Sequence, residues 1–355
     1  MKAIELFPYW SDNRGLLVDV IAGLPDRELE ARPAPGLRSL GEVLRHVITA
    51  EESWWHGGIN GAPYDRWRPQ DKRFSADEWG RLTDEQRETW RTRRFPTMAA
   101  VVEGLHAAHA PVDSFLREMD AADLCEKRRA TWGDDNTLRW ILWHLVEHDQ
   151  HHRAQIFTRL RMQGHAAPQI WPRPGVMADT PARNWRPEEV AITDVVPFWK
   201  QVHTSLRQAT ASLADEDLTF AHVPGRPTIH DLVLHSFIWE DFLIRQNLAR
   251  HVGTASASGK IQGWFWRSDV SQMSANVGSY FPNVAALLEG MDEVHAATRA
   301  TVGALSVSDL TRTVETPRGP QSVHHMLWYA REHTVHHRAQ LFFRMRMAGR
   351  TPPEI

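Results

Sequence analysis

The chain has 355 residues, of which 42% are hydrophobic, so it can bury a sizeable core, and its length predicts two domains. Its formal charge is −3, with 41 basic and 44 acidic side chains and no basic run or tail, which argues against a dedicated binder of nucleic acid or of anionic membranes. Cys125 is the only cysteine, which excludes an intrachain disulfide and a thiolate zinc site. The N-terminus lacks the long apolar stretch of a signal peptide, and no apolar run is long enough to span a bilayer, so we expect a cytoplasmic protein.

Hydrophobic periodicity and helix-end signals predict four long helices in the first half of the chain. A polar, tryptophan-bearing connection separates the second helix from the third, and residues 76–92 within it are predicted to form a short extra helix. No alternating, strand-like segment of useful length is present in the sequence. The four helices are predicted over Leu6–Leu24, over a segment opened by the capping box Ser39–Glu42 and ended by Gly57, over Thr97–Met119, and between Thr137 and Gly164.

The second half of the chain repeats the first. Residues 137–164 return as residues 322–349, with 14 of 28 positions identical. Matching residues in or beside the three earlier helices recur 189 or 186 positions later, as His46 does at His235 and Phe95 at Phe281. Residues 171–189 are rich in proline and carry no hydrophobic pattern, so they are predicted to be a linker. We therefore predict an all-α fold of two tandem four-helix bundles, over residues 1–170 and 190–355.

Histidines occupy positions on these helices where apolar residues are expected. Each fourth helix carries two histidines four residues apart on its core-facing side, and each second helix carries one at the edge of its apolar face. Three neutral imidazoles with one coordination position left for water are typical of a catalytic metal site, and they suit zinc, nickel, copper or ferrous iron. The alternative is that they are core histidines hydrogen-bonded to their neighbours. The predicted ligands are His46, His148 and His152 in the first half and His235, His333 and His337 in the second.

Four more polar residues lie close enough in the sequence to assist such a site. Gln155 and Gln340 fall near the histidine face of the fourth helices, where an amide could hydrogen-bond a ligand or a bound water, or simply pack between helices. Glu51 and Glu240 follow the second-helix histidines by five residues. A general-base role is conceivable for these carboxylates, but a solvated or interhelical charge is the favoured interpretation.

The motif around the fourth-helix histidines contains two further repeated residue types. His151 and His336 lie about 100° around the helix from the predicted ligands, so we expect them to support a ligand or to face solvent. Arg153 and Arg338 are expected to pair with acidic side chains at the bundle surface.

The second-helix histidine together with the fourth-helix runs HDQHHRAQ and HTVHHRAQ resembles the DinB-like, damage-inducible superfamily of metalloenzymes. The resemblance covers nearly the whole chain, with one family unit in each half. It implies an up-down-down-up bundle that holds a divalent metal on three histidines, and members with a single domain are frequently homodimers. In this tandem form, the two bundles could stand as an internal pseudo-dimer.

The same resemblance carries the functional expectation. Characterised relatives include S-transferases that use bacillithiol or mycothiol and a mycothiol-dependent isomerase, so the resemblance implies a metal-dependent transferase of a low-molecular-weight thiol that acts on a small molecule. The metal would lower the pKa of the thiol and present a thiolate to an electrophile. A hydrolase that uses metal-activated water and a stress-related metal-binding protein without catalysis are the alternatives.

Overall fold

The computed structural model forms two compact units, Met1–Pro168 and Gln169–Ile355. The predicted linker, residues 171–189, lies outside the described residues. Among the residues described, no helix is both long enough and apolar enough to cross a bilayer. The structure describes residues 1–7, 10–62, 81–166, 192, 198–249, 273–316 and 319–354.

In the first unit, four long helices pack in a closed ring. Helix α1 contacts α4 and α5, and α2 contacts the same two helices, while the shorter α3 packs against α2. The chain continues from the end of α2 as a π-helix, Trp54–Ile59. Apolar side chains inside the ring are fully buried, Val47 and Leu105 among them. The helices of the described part of this unit are α1 Trp10–Ile21, α2 Leu40–Ser53, α3 Asp84–Arg94, α4 Met98–Glu118 and α5 Leu138–Met162.

The helix ends follow the signals in the sequence. Ser39 Oγ accepts a hydrogen bond from the Glu42 backbone N–H at 3.2 Å, and the Glu42 carboxylate accepts one from the Ser39 N–H, which confirms the predicted capping box. Thr137 Oγ1 accepts from the Trp140 N–H at 3.2 Å and starts α5. Gly164 adopts a φ of +83°, the left-handed conformation that ends a helix and favours glycine.

The second unit repeats the ring. Helix α7 contacts α9 and α11, α6 contacts the same two helices, and a π-helix, Phe242–Leu248, continues α7. Thr228 and Asp231 form the capping box of α7. The helices of the described part of this unit are α6 Trp199–Ala211, α7 Ile229–Asp241, α8 Met273–Val277, α9 Val284–Gly303, α10 Val307–Leu310 and α11 Val323–Met347.

A short antiparallel hairpin precedes the last long helix of each unit. Strands β1 and β2 are Lys127–Arg129 and Asp135–Thr137, and β3 and β4 are Thr313–Thr316 and Gly319–Ser322. The sequence did not reveal them, because strands of three or four residues are too short to show an alternating pattern. Each hairpin runs directly into a helix N-cap, and the Leu138 N–H donates to the carbonyl of the residue before β1 at 2.8 Å. The hairpins therefore help to fix where α5 and α11 begin.

The two arginines of the repeated motif are buried, so the expectation that they pair with acids at the surface is wrong. Arg153 is 1% exposed, and its Nη1 donates to Asn13 Oδ1 at 2.5 Å. Arg338 is fully buried, and its Nη1 donates to Ser205 Oγ at 2.9 Å. Both guanidinium groups thus tie the last long helix of a unit to its first.

A glycine at the same position in both units allows a phenylalanine ring to lie against a helix backbone. A Cβ added at Gly104 would come within 2.5 Å of Phe95 Cε1, and Gly290 stands in the same relation to Phe281. Both rings are buried and cannot move away freely. We expect Gly104→Ala to destabilise the first unit by about 1–2 kcal/mol in urea unfolding, because overpacking outweighs the gain in helix propensity. Gly15→Ala is the control, because nothing lies within 4 Å of a Cβ added there. If Gly104→Ala destabilised the unit no more than Gly15→Ala does, or stabilised it, the close approach of Phe95 would be contradicted.

Candidate metal centre

Helices α2 and α5 bring the three predicted histidines of the first unit together. His46 Nε2 and His148 Nε2 are 3.1 Å apart. The ring centroids of His46, His148 and His152 are 4.4–5.0 Å from one another, and one nitrogen of each ring lies within 4.8 Å of the other two. All three side chains are half-buried, so protein surrounds the cluster while part of it remains accessible.

The second unit builds the same cluster from α7 and α11. His235 Nε2 and His333 Nε2 are again 3.1 Å apart, and the centroid distances among His235, His333 and His337 are 4.4–4.9 Å. The pKa of His337 lies well below its ordinary value, because the ring is buried and because His333 and His235 are close. The duplication therefore preserves a complete histidine triad in each unit.

Burial keeps the imidazoles of the first triad neutral. The pKa of His46 is lowered to about 3, first because burial disfavours the charged ring and then because Arg91 and Arg38 place positive charge nearby. The pKa of His148 and that of His152 also lie well below the usual value, through burial and then through the neighbouring histidines. Neutral imidazoles carry the nitrogen lone pairs that metal ions bind.

The donor set fits a divalent cation. Tetrahedral zinc binds histidine nitrogens at about 2.0–2.1 Å, which places neighbouring donor nitrogens roughly 3.3 Å apart. The Nε2 atoms of His46 and His148, and those of His235 and His333, are separated by 3.1 Å in each pair. The partial exposure of the rings leaves room for a further ligand from solvent or from a substrate. Three nitrogen donors with an open position suit zinc, nickel or ferrous iron.

Gln155 is hydrogen-bonded to His152 in this cluster. The Nδ1 atom of His152 lies 3.3 Å from Gln155 Oε1 and can donate to it, while Gln155 Nε2 lies 2.8 Å from His151 Nε2 and can donate to that nitrogen. With its proton on Nδ1, His152 presents an unprotonated Nε2 to the triad. His151 is only 4% exposed, so it supports this chain of hydrogen bonds and does not face solvent.

The second unit repeats the chain of hydrogen bonds. His337 Nδ1 lies 2.9 Å from Gln340 Oε1, and Gln340 Nε2 lies 3.0 Å from His336 Nε2. The sequence HHRAQ therefore encodes one arrangement twice: an outer histidine, a triad histidine and a glutamine that joins them. This recurrence favours an orienting role for the glutamine over plain helix packing.

Replacing Gln155 tests this orienting role. We expect Gln155→Ala to weaken metal binding at the first triad by about 10–100-fold, because His152 loses the acceptor that sets its tautomer. Gln155→Glu should largely restore affinity, because a carboxylate oxygen can accept the same hydrogen bond. Competition with a chromophoric chelator measures the affinity, and the intact second triad of the same chain is the internal control. Equal affinity in the wild type and in Gln155→Ala would show that the amide only packs.

Glu51 does not belong to the first triad. Its Oε2 pairs with Arg14 Nη2 at 2.5 Å, its Oε1 lies 2.9 Å from His109 Nδ1, and Arg14 also binds Asp149 at 2.9 Å. Burial alone would raise the pKa of Glu51, but the Arg14 guanidinium lowers it below its ordinary value. Glu51 is therefore part of a buried interhelical charge network, and its geometry offers no support for a general base at the metal.

Glu240 is likewise engaged away from the second triad. Its carboxylate lies 3.0 Å from His203 Nε2 and accepts hydrogen bonds from Thr298 Oγ1 at 2.6 Å and Thr334 Oγ1 at 3.2 Å. Burial alone would raise the pKa of Glu240, but His203, His295 and the Thr298 hydroxyl bring it down to about 2. It groups with His203 and His295, and not with the triad.

Aromatic side chains border each triad, and the sequence interpretation did not assign them to the site. In the first unit, His144 stacks on Trp140 with centroids 5.1 Å apart, and Trp54 contacts His144 at the same distance. In the second unit, the ring of Trp239 is 5.6 Å from His333, and that of Tyr329 is 6.3 Å away. The spacing of Trp239, four residues after His235 on one helix face, was the available signal.

The family model of the DinB superfamily matches residues 9–156 and again residues 199–341, which together make up most of the chain. The chain therefore belongs to the DinB superfamily, with one copy of the family fold in each unit, and this superfamily is metal-binding. A crystal structure of a DinB-like protein from Bacillus cereus ATCC 10987 is similar over 44% of this chain and 92% of that one, with 20% identity and a TM-score of 0.35. No curated protein matches the chain.

Proposed function

We propose that this chain is a divalent-metal-dependent S-transferase that uses a low-molecular-weight thiol, with one tri-histidine site in each unit. The observation that carries the proposal is the convergence of three histidine side chains in one cluster, in both units. The ligands would be His46, His148 and His152, and His235, His333 and His337. When bound, the cation would lower the pKa of a thiol such as bacillithiol or mycothiol and hold its sulfur ready for attack on an electrophile.

The chain itself offers no thiol for this chemistry. Cys125 is exposed on a 3-10 helix, Ala121–Cys125, and its Sγ donates to the Ala122 carbonyl at 3.2 Å. It is outside the groups of side chains that could hold a metal. The nucleophilic sulfur would therefore come from a second substrate.

The positions of the carboxylates favour a transferase over a hydrolase. A hydrolase that activates water at the metal would gain from a general base within hydrogen-bond reach. Glu51 and Glu240, which follow the second-helix ligands by five residues, are held by Arg14 and His203. A thiol needs less help from a base, because its ordinary pKa of about 8.5 is already close to neutral.

Residues beside the triads can bind the rest of the substrates. In the first unit, Trp54 and Trp140 pack on His144, whose ring centroid is 6.2 Å from that of the proposed ligand His148. In the second unit, Trp239 lies directly beside the proposed ligand His333. Such aromatic surface excludes water and suits the apolar body of an electrophile. The aromatic residues differ between the units, so we expect the two sites to prefer different electrophiles.

A screen of thiols and electrophiles tests the proposal. Zinc-, nickel- and iron(II)-loaded protein is mixed with bacillithiol, mycothiol, glutathione or coenzyme A and with a haloaromatic or an epoxide. For a haloaromatic, an S–C bond forms, the C–halogen bond breaks with loss of halide, and the thiol proton passes to buffer. We expect a rate above the uncatalysed reaction that needs both metal and thiol. No such rate with any thiol would contradict the proposal, and ester hydrolysis in its place would indicate a hydrolase.

A further inference from the structure

The second unit contains a further cluster of potential ligands in its core. His203 on α6, Glu240 on α7 and His295 on α9 are each at most 3% exposed, and one ligand atom of each lies within 4.8 Å of the other two. His203 Nε2 is 3.0 Å from one Glu240 oxygen and 3.1 Å from the other. Glu240 lies about 140° around α7 from His235, so this cluster is distinct from the triad.

The first unit fills the equivalent positions with fixed charges. Arg14 stands where the second unit has His203, at the offset of 189, and Asp149 stands where it has Thr334, at the offset of 185. In the first unit, the guanidinium supplies the cation that Glu51 and Asp149 share. The second unit lacks this guanidinium and one of the two carboxylates, and it retains a carboxylate, Glu240, between two imidazoles.

The imidazoles of this cluster have unused nitrogens. Among the described residues, His203 Nδ1 and His295 Nε2 have no hydrogen-bond partner, although both are buried. A polar group left without a partner in a core destabilises the fold. The cluster thus offers two imidazole nitrogens and an ionised carboxylate in a site closed to bulk water.

We infer that His203, Glu240 and His295 form an additional divalent-metal site in the second unit, which replaces the cation that Arg14 provides in the first. Two histidines and one carboxylate are a ligand set that zinc accepts readily. Thr298 and Thr334 already donate to the Glu240 oxygens and would hold the carboxylate in place. The site lies among α6, α7 and α9, so its function is to join these helices.

One of the two imidazole rings must rotate before this cluster can bind a metal. The His203 and His295 rings are stacked, with centroids 3.5 Å apart and an angle of 6° between their planes. Ring-nitrogen lone pairs lie in the ring plane, so two parallel rings cannot direct both lone pairs at one ion. One imidazole must tilt about its side-chain torsions when the cation binds.

Metal counting on single-site variants tests this inference. The full-length protein is stripped with a chelator, reloaded with Zn²⁺, desalted and analysed for zinc per chain. We expect three equivalents in the wild type and two in His295→Ala. His109→Ala is the matched control, because His109 holds the equivalent position beside Arg14, and it should retain three. The zinc bound by the two triads is counted separately, as the loss in His148→Ala and in His333→Ala. The loss in His295→Ala can therefore be assigned to the additional site even if a triad does not bind zinc.

A second variant keeps the test decisive if His295→Ala does not fold. His203→Arg with Thr334→Asp rebuilds the fixed charges of the first unit, so we expect it to lose one zinc while its helical circular dichroism remains unchanged. Zinc that survives in both variants would overturn the inference. A wild-type chain whose zinc content is fully accounted for by the two triads would overturn it as well.

Discussion

Replacing both His152 and His337 with alanine is expected to abolish thiol transfer. Each substitution removes one of three nitrogen ligands, and with it the Nδ1 contact to Gln155 or Gln340. The loss should exceed the roughly 10–100-fold that removal of a ligand's outer hydrogen-bond partner causes. Initial rates with the thiol and electrophile found in the screen measure the effect at saturating metal.

Single variants and a distant control make this result specific. His152→Ala alone should retain the activity of the second unit, and His337→Ala that of the first, because each triad is complete within one unit. Cys125→Ala should leave the rate unchanged, because that thiol is exposed and lies outside the triads. Transfer activity that persists in the double variant would show that the triads do not support catalysis.

Replacing Arg14 with methionine is expected to destabilise the first unit by about 3–5 kcal/mol. Arg14 is 2% exposed and binds two buried carboxylates, Glu51 and Asp149, so its removal leaves negative charge in the core without a cation. Unfolding in urea, followed by circular dichroism, measures the loss. In Arg14→Met, burial without a neighbouring guanidinium raises the pKa of both carboxylates, and protonation then neutralises them. The difference in stability from the wild type should therefore shrink as the pH falls towards these raised pKa values.

Removal of the carboxylate charges provides the control for Arg14. Adding Glu51→Gln and Asp149→Asn to Arg14→Met should recover most of the lost stability, because the amides carry no charge to desolvate. If Arg14→Met were no less stable than the wild type, the ion pairs would not hold the core together. A triple variant as unstable as Arg14→Met would mean that lost packing, and not charge, causes the effect.

The helices and the triads could be predicted because their signals are local. Thr137 and Gly164 mark the ends of α5 through cap and glycine chemistry that depends only on neighbouring residues. His148 and His152 share a face because four residues make about one helical turn. The repeat then identified His46 as the partner, since His235 recurs at the same place in the second half.

The buried charge networks could not be predicted, because they join residues far apart in sequence. Arg14 meets Asp149 across 135 positions, and Arg153 meets Asn13 across 140. Hydrophobic periodicity indicates which face of a helix is buried, but not which polar side chains of two helices meet there. His203 was overlooked for the same reason, since a lone histidine on a first helix carries no pattern of its own.

The count of triad-bound metal tests the central claim most directly. Chains saturated with Zn²⁺, desalted and analysed by mass spectrometry should lose one equivalent in His148→Ala, one in His333→Ala and two in the double variant, all with wild-type helical content. If the double variant retains the zinc content of the wild type, the triads are not metal ligands. If only one single variant loses zinc, one unit serves as scaffold alone.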